Sequence, residues 1–164
     1  MTRNALLDAF AKFTEDVTKD LIMPTRIQKA DEEQGYRAAV VFKMRLPDSK
    51  AAQKKAPYVL HQVITGKDQQ PTGTDVDSTT TVRSIFCVYN DDEQEGGLML
   101  LNLMERLRIA ILKKVVIGEQ FEIDLEAGLE CLVYPDDTAP YFLGEMVSTW
   151  KMPTIKREVP QIWQ

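Results

Sequence analysis

Thr81-Val82-Arg83-Ser84-Ile85-Phe86-Cys87-Val88-Tyr89, then Asn90-Asp91-Asp92-Glu93-Gln94-Glu95-Gly96-Gly97, then the apolar run Leu98 to Lys114: this passage decides the fold. Val82, Phe86 and Val88 fall on one side of an extended segment, the period of a half-buried strand. Leu100, Leu103, Met104, Leu107 and Ile111 recur every three or four residues, which lines one side of an α-helix and leaves Glu105, Arg106 and Arg108 off it. The carboxylates before Leu98 have an ordinary cause. Free N–H groups and the positive dipole end at a helix start favour negative charge, and Lys113 and Lys114 complement the other end. Gly118 reads as the terminator. A helix this apolar on one side has to pack on a sheet.

Working upstream, Leu6, Phe10, Phe13, Val17 and Leu21 predict a helix over residues 5–21, closed near Pro24, with a connecting loop over 28–35. Ala38, Val40, Phe42, Met44 and Leu46 alternate with Lys43 and Arg45 and predict a half-buried strand that stops at Pro47. A lysine-bearing loop (Lys50, Lys54, Lys55) leads to a second strand over 57–65, rich in β-branched and aromatic residues. From Gly66 to Thr80 the chain is polar, with Gly, Pro, Asp, Ser and Thr accumulating, and reads as a long exposed loop or hairpin tip. Downstream, 120–125, 129–134 and 141–150 predict three strands in a meander, separated by turns at 126–128 and 135–140. The fold class expected is therefore α+β: a mixed, mostly antiparallel sheet of about five or six strands with two main helices packed against it. Residues 1–150 form the domain, and 151–164, with two prolines and no helical period, form an extended tail.

Size and composition agree. A chain of 164 residues, 44% hydrophobic and 27% charged, supports one domain with its own core. A net charge of −5 disfavours a broad phosphate-binding surface. The first residues lack an uninterrupted apolar stretch of the kind a secretory signal carries, and no segment approaches a membrane span. Cys87 and Cys131 both sit in apolar strand runs, where cysteine behaves as a small buried hydrophobe, and a reducing cytoplasmic setting is the simplest inference.

Candidate chemistry is thin. His61, the single histidine, lies inside a predicted strand with no sequence-visible partner to orient it, and reads as structural. Asp75 with Asp77, and Asp91 to Glu95, do not match a calcium loop, so no metal is expected. Neither phosphate-binding glycine pattern is present, and no cofactor is expected. The tail's Ile162 and Trp163 are better candidates, because a terminal tryptophan gains free energy by burial, on a partner or on its own domain.

The order of segments adds a resemblance. Ala56-Pro57-Tyr58-Val59-Leu60, then Ile85 to Asp92 leading through Gly96-Gly97 into Leu101-Asn102-Leu103-Met104-Glu105-Arg106-Leu107-Arg108, then Gly144 to Trp150 with Met152-Pro153, resemble the small tail-terminator (tail completion, head–tail joining) proteins of tailed bacteriophages and prophages. The resemblance covers the chain from about Tyr36 onward, and the N-terminal helix is less clearly matched. It implies a structural, non-enzymatic α+β subunit that forms a homo-oligomeric ring, commonly a hexamer. Such a ring caps the tail tube, meets the head connector and lets DNA pass through, and it is assembled in the host cytoplasm and retained in the virion. A head-closure or other neck protein is the neighbouring alternative, and a small hydrolase using His61 or a ligand-binding domain the distant ones. A head-to-tail ring needs two different complementary patches. By charge alone the candidates are Asp91, Asp92, Glu93 and Glu95 against Lys50, Lys54 and Lys55, with Asp75, Asp77, Ile162 and Trp163 as further contact candidates.

Overall fold

The computed structural model describes residues 1–27, 31–47, 55–156 and 158. Two helices, α1 (Arg3–Thr18) and α2 (Glu93–Lys114), accompany nine strands among these residues. The strands are β1 (Met23–Pro24), β2 (Tyr36–Arg37), β3 (Val40–Lys43), β4 (Tyr58–Gln69), β5 (Asp77–Tyr89), β6 (Val116–Ile117), β7 (Phe121–Ile123), β8 (Leu129–Val133) and β9 (Tyr141–Lys151). β1 and β2 form a small ribbon, while the other seven make one sheet in the order β3-β4-β5-β9-β7-β6, with β8 also on β9. Only β3 and β4 run parallel among the described pairs. The fold is the α+β class that the sequence predicts.

Both helices cover one face of the sheet. Leu6 and Phe10 from α1 join Leu100, Leu103, Met104, Leu107 and Ile111 from α2, over Val59, Val82, Phe86, Val88, Met146 and Trp150. The helical and strand periods in the sequence thus meet in one core, each fully buried large side chain contributing about 1.5–3 kcal/mol. The opposite face carries a smaller cluster, Tyr58, Leu60, Cys87, Tyr89 and Tyr141 with Leu46 and Ala56.

Several boundaries differ from expectation. α2 begins at Glu93, with Asp92 as its N-cap accepting from the backbone N–H groups of Gln94 and Glu95. Part of the acidic run, Glu93 and Glu95, is therefore the first turn of the helix rather than a segment before it. The helix ends at Lys114 on Val115, which takes a positive φ. Gly118 serves instead in the β6–β7 turn, beside Glu119, where both residues have positive φ and a Cβ on Gly118 would press on Ala9. α1 stops at Thr18, three residues early. The strand expected to reach Leu46 stops at Lys43, since Met44 adopts a positive φ. Val40 and Met44 are exposed, while Val41 packs toward the helices and Phe42 toward the other face. An edge strand is only half covered, so alternation alone does not assign its sides.

Gly96 and Gly97 differ in what a methyl would meet: at Gly96 it would collide with the Phe142 ring, and at Gly97 it meets nothing within 4 Å. Gly97→Ala should raise stability by about 0.5–1 kcal/mol through helix propensity, and Gly96→Ala should lower it by about 1–2 kcal/mol through overpacking. Urea unfolding of the two variants checks the pair; equal stabilities would mean that the ring yields freely.

Candidate subunit-contact surfaces

The polar loop expected over 66–80 is mostly strand. β4 runs to Gln69 and β5 starts at Asp77, with register continuous from Thr65↔Thr81 to Gln69↔Asp77 after a bulge near Ile64. Threonine-rich β5 needs no apolar alternation here, because it lies between β4 and β9 and its backbone pairs on both sides. β3 covers β4 only from Tyr58 to His61. Beyond that point β4 pairs with β5 alone among the described residues, and Ile64 to Gln69 are exposed. Arg3 of α1 holds this arm, donating to the Thr80 hydroxyl at 3.0 Å and to the Asp68 carboxylate at 3.2 Å. Ser78 and Arg3 together keep the Asp68 carboxyl below its usual range. Asp75 lies exposed in the tip, and Asp77 opens β5.

β8 forms the opposite margin. It pairs with β9 from Leu129↔Ser148 to Val133↔Gly144 and with no other strand among the described residues. Leu132 and Val133 are about half exposed, and Cys131 is exposed as well. The reading of both cysteines as buried therefore holds for Cys87, whose thiol burial pushes up to about 12, and fails for Cys131. β8 is an edge strand, and its alternate side chains have little above them.

The acidic run sits at the end of the sheet where β5 meets α2. Asp91 accepts from the Tyr89 hydroxyl at 2.8 Å, Asp92 caps the helix, and Glu93 and Glu95 lie in its first turn. The backbone bond from Asn90 to the Pro140 carbonyl brings the 134–140 turn alongside. Glu93 consequently lines a cleft of about 310 Å³ with Asp136 and Asp137. Those two aspartates were not singled out in the sequence; more than forty positions separate them from Glu93, and only strand pairing unites the three. Lys55 precedes β4 by three residues, and Tyr58 pairs with Cys87, so Lys55 lies at this same end of the sheet. Its carbonyl accepts from Arg37. Lys50, Lys54, Ile162 and Trp163 lie outside the described residues. The tail begins against its own domain: Met152 is buried and donates to the Ser78 carbonyl, and the Ile155 carbonyl accepts from Gln70.

His61 is wholly buried. Its ring stacks on Phe10 with centroids 4.0 Å apart, and Phe10 in turn meets Trp150. Nε2 lies 2.8 Å from the Thr14 hydroxyl and Nδ1 2.7 Å from the Ser84 hydroxyl. Thr14 spends its single proton on the Phe10 carbonyl, so it accepts from Nε2–H, and Nδ1 accepts from Ser84. The imidazole is neutral, and burial pushes its pKa down to about 3. It fastens α1 to the sheet and has no exposed edge.

One surface escaped the sequence reading. α2 exposes Leu98, Leu101, Ile109 and Leu112 on the side away from the core. Between them Glu105 and Arg108 form an ion pair at 2.6 Å, which holds the Glu105 carboxyl below its usual range. The signal was present: Leu98, Leu101 and Leu112 are leucines outside the core stripe of the same helix.

Among the described residues no His, Cys, Asp and Glu side chains converge as a metal-binding group, and no helix is long and apolar enough to cross a membrane. Comparison with models of known protein families gives no match, and a search of curated proteins gives none either.

An unfolded imidazole protonates near pH 6.5 and the folded one only near 3. The unfolded chain therefore binds the extra proton between those values, and stability, full above about pH 6.5, falls by up to about 1.4 kcal/mol per pH unit below it. Urea midpoints at pH 7, 5.5 and 4.5 should show this slope in the native chain, and His61→Gln should lose it while keeping the carboxylate contribution. A His61→Gln variant with an unaltered pH slope would show that the buried ring is not the source.

Proposed function

We propose that this chain is a structural assembly subunit that joins copies of itself head to tail into a ring, of the kind that caps a bacteriophage tail tube and meets the head connector. The observation that carries the proposal is the pair of unlike edges, open among the described residues, at opposite margins of one sheet, distal β4 (64–69) and β8 (129–133). An unpaired strand edge is a template for another strand. When one margin of each copy accepts the other margin of the next, the contact is heterologous and closes into a ring if the rotation allows. The resemblance in segment order to tail-terminator proteins supports a hexamer as the closed form, with DNA passing through it. A net charge of −5 suits such a passage, since DNA is repelled from the wall. The acidic cleft at the start of α2, with Lys55 at the same end of the sheet, supplies a charged contact region for the tube or connector.

Native mass spectrometry of the full chain, alone and with tail tube protein, should show a closed ring. Ile64→Asp and Leu132→Asp, each at an exposed edge position, should each abolish the ring with unchanged circular dichroism. Mixing the two variants should restore a single edge joint between one copy of each and no ring, because one intact β4 margin and one intact β8 margin remain to meet. A ring that survives both substitutions would remove edge pairing as the joint. A second pair of substitutions, Glu93→Lys with Glu95→Lys, leaves the Asp92 cap in place and should weaken tube or connector binding without altering the ring.

A further inference from the structure

We infer that the outer face of α2 is a two-fold contact between copies of this chain, independent of the head-to-tail joint. The stripe reads Leu98, Leu101, Glu105, Ile109, Leu112, the four apolar residues exposed and Glu105 half-buried, with spacings of three, four, four and three residues. This order is the same in both directions. Two copies of α2 laid antiparallel with Glu105 at the centre place Leu98 opposite Leu112 and Leu101 opposite Ile109, twice over. Self-complementarity of this kind is what an isologous contact requires, since each residue must suit its symmetry mate's surroundings.

The chemistry at the centre suits the same arrangement. Arg108 lies one turn from Glu105 and already pairs with it within the chain. Across a two-fold axis at Glu105, the opposite Arg108 is displaced along the helices by about 4.5 Å, within reach of the same carboxylate. Two glutamates and two arginines would thus form a neutral cluster flanked by leucine and isoleucine on both sides. Spacing of Leu98, Glu105 and Leu112 by sevens, with Leu101 and Arg108 between, is also the seam of a short antiparallel coiled coil.

Exposure and area point to a macromolecular occupant. Leu98 is 58% exposed, Leu101 44%, Ile109 43% and Leu112 38%, whereas the core residues of the same helix are at 0–1%. A 22-residue helix is about 33 Å long and about 10 Å wide with its side chains, so its outer face offers a few hundred Å². Stable contacts bury about 800 Å² per partner. The outer face of α2 supplies part of that area, and Leu21, just past the end of α1, adds to it. Leu21 borders the groove that runs along Asn102, Arg106 and Ile109, where the matching helix would seat its ridge.

The test is a cysteine at the centre of symmetry. In the full chain with Cys131→Ser, Glu105→Cys should give a disulfide-linked dimer under mild oxidation that reductant dissolves. Lys12→Cys, exposed on α1, should give none. Equivalent residues meet only across a two-fold axis, so a head-to-tail contact cannot produce the first link. By sedimentation, Leu101→Asp with Ile109→Asp should weaken association through this face by at least about 100-fold, with circular dichroism unchanged. A ring lacking the Glu105→Cys link would retain the assembly reading and end this one, and a linked dimer without any ring would do the reverse. A double variant that associates like the native chain would also overturn the α2 contact.

Discussion

A neutral imidazole with no route to water fixes how the first helix sits on the sheet. Burial of His61 excludes the charged form, so each ring nitrogen needs a partner of the correct sense. Thr14 and Ser84 provide one acceptor and one donor, from α1 and β5 respectively. The Phe10 ring lies flat on the imidazole and meets Trp150, which donates to Ser148. A shift of α1 by one turn would take Thr14 from Nε2 and leave that buried nitrogen unpaired inside an apolar core, at a cost of about 1–3 kcal/mol, and would also undo the stacking of Phe10 on the ring. The helix therefore has one position, and that position places Arg3 on the β4–β5 arm and Asp8 against Lys43.

From this anchored helix the division of the surface follows. One face of the sheet is spent on α1 and α2, and the other is covered only in part by the tyrosine-rich cluster around Tyr58, Tyr89 and Tyr141. The surface ion pairs, such as Arg106 with Asp20 and Lys43 with Asp8, contribute little each, typically below about 1 kcal/mol. Larger gains are available where apolar groups or backbone donors face water: the two open strand edges and the outer side of α2. These are the places where association would lower the free energy most, and they are geometrically distinct. Edges at opposite margins suit translation around a ring, whereas a palindromic helix face suits a two-fold. One subunit can carry both kinds of contact without conflict because they lie on different elements.

The sequence by itself determined the element types and the core. Periods of two and 3.6 placed six strands and two helices, and the inward residues Val82, Phe86, Val88, Leu100, Leu103 and Leu107 are all buried, because burial of a repeating face is a local property of an amphipathic segment. It also set acidic residues near the start of the second helix, though it began that helix at Leu98, five residues after the true first residue Glu93. Tertiary structure alone decided the rest. The 66–80 stretch looks like loop because its strands are polar, yet neighbouring strands supply the hydrogen bonds that hold it extended. Glu93 meets Asp136 and Asp137 only through the pairing of β5 with β9, and His61 gains Ser84 through the pairing of β4 with β5 and Thr14 only when α1 lies over them. Which strand ends a sheet, and which side of a helix is left over after packing, depend on contacts between residues far apart in the chain. No local pattern encodes them.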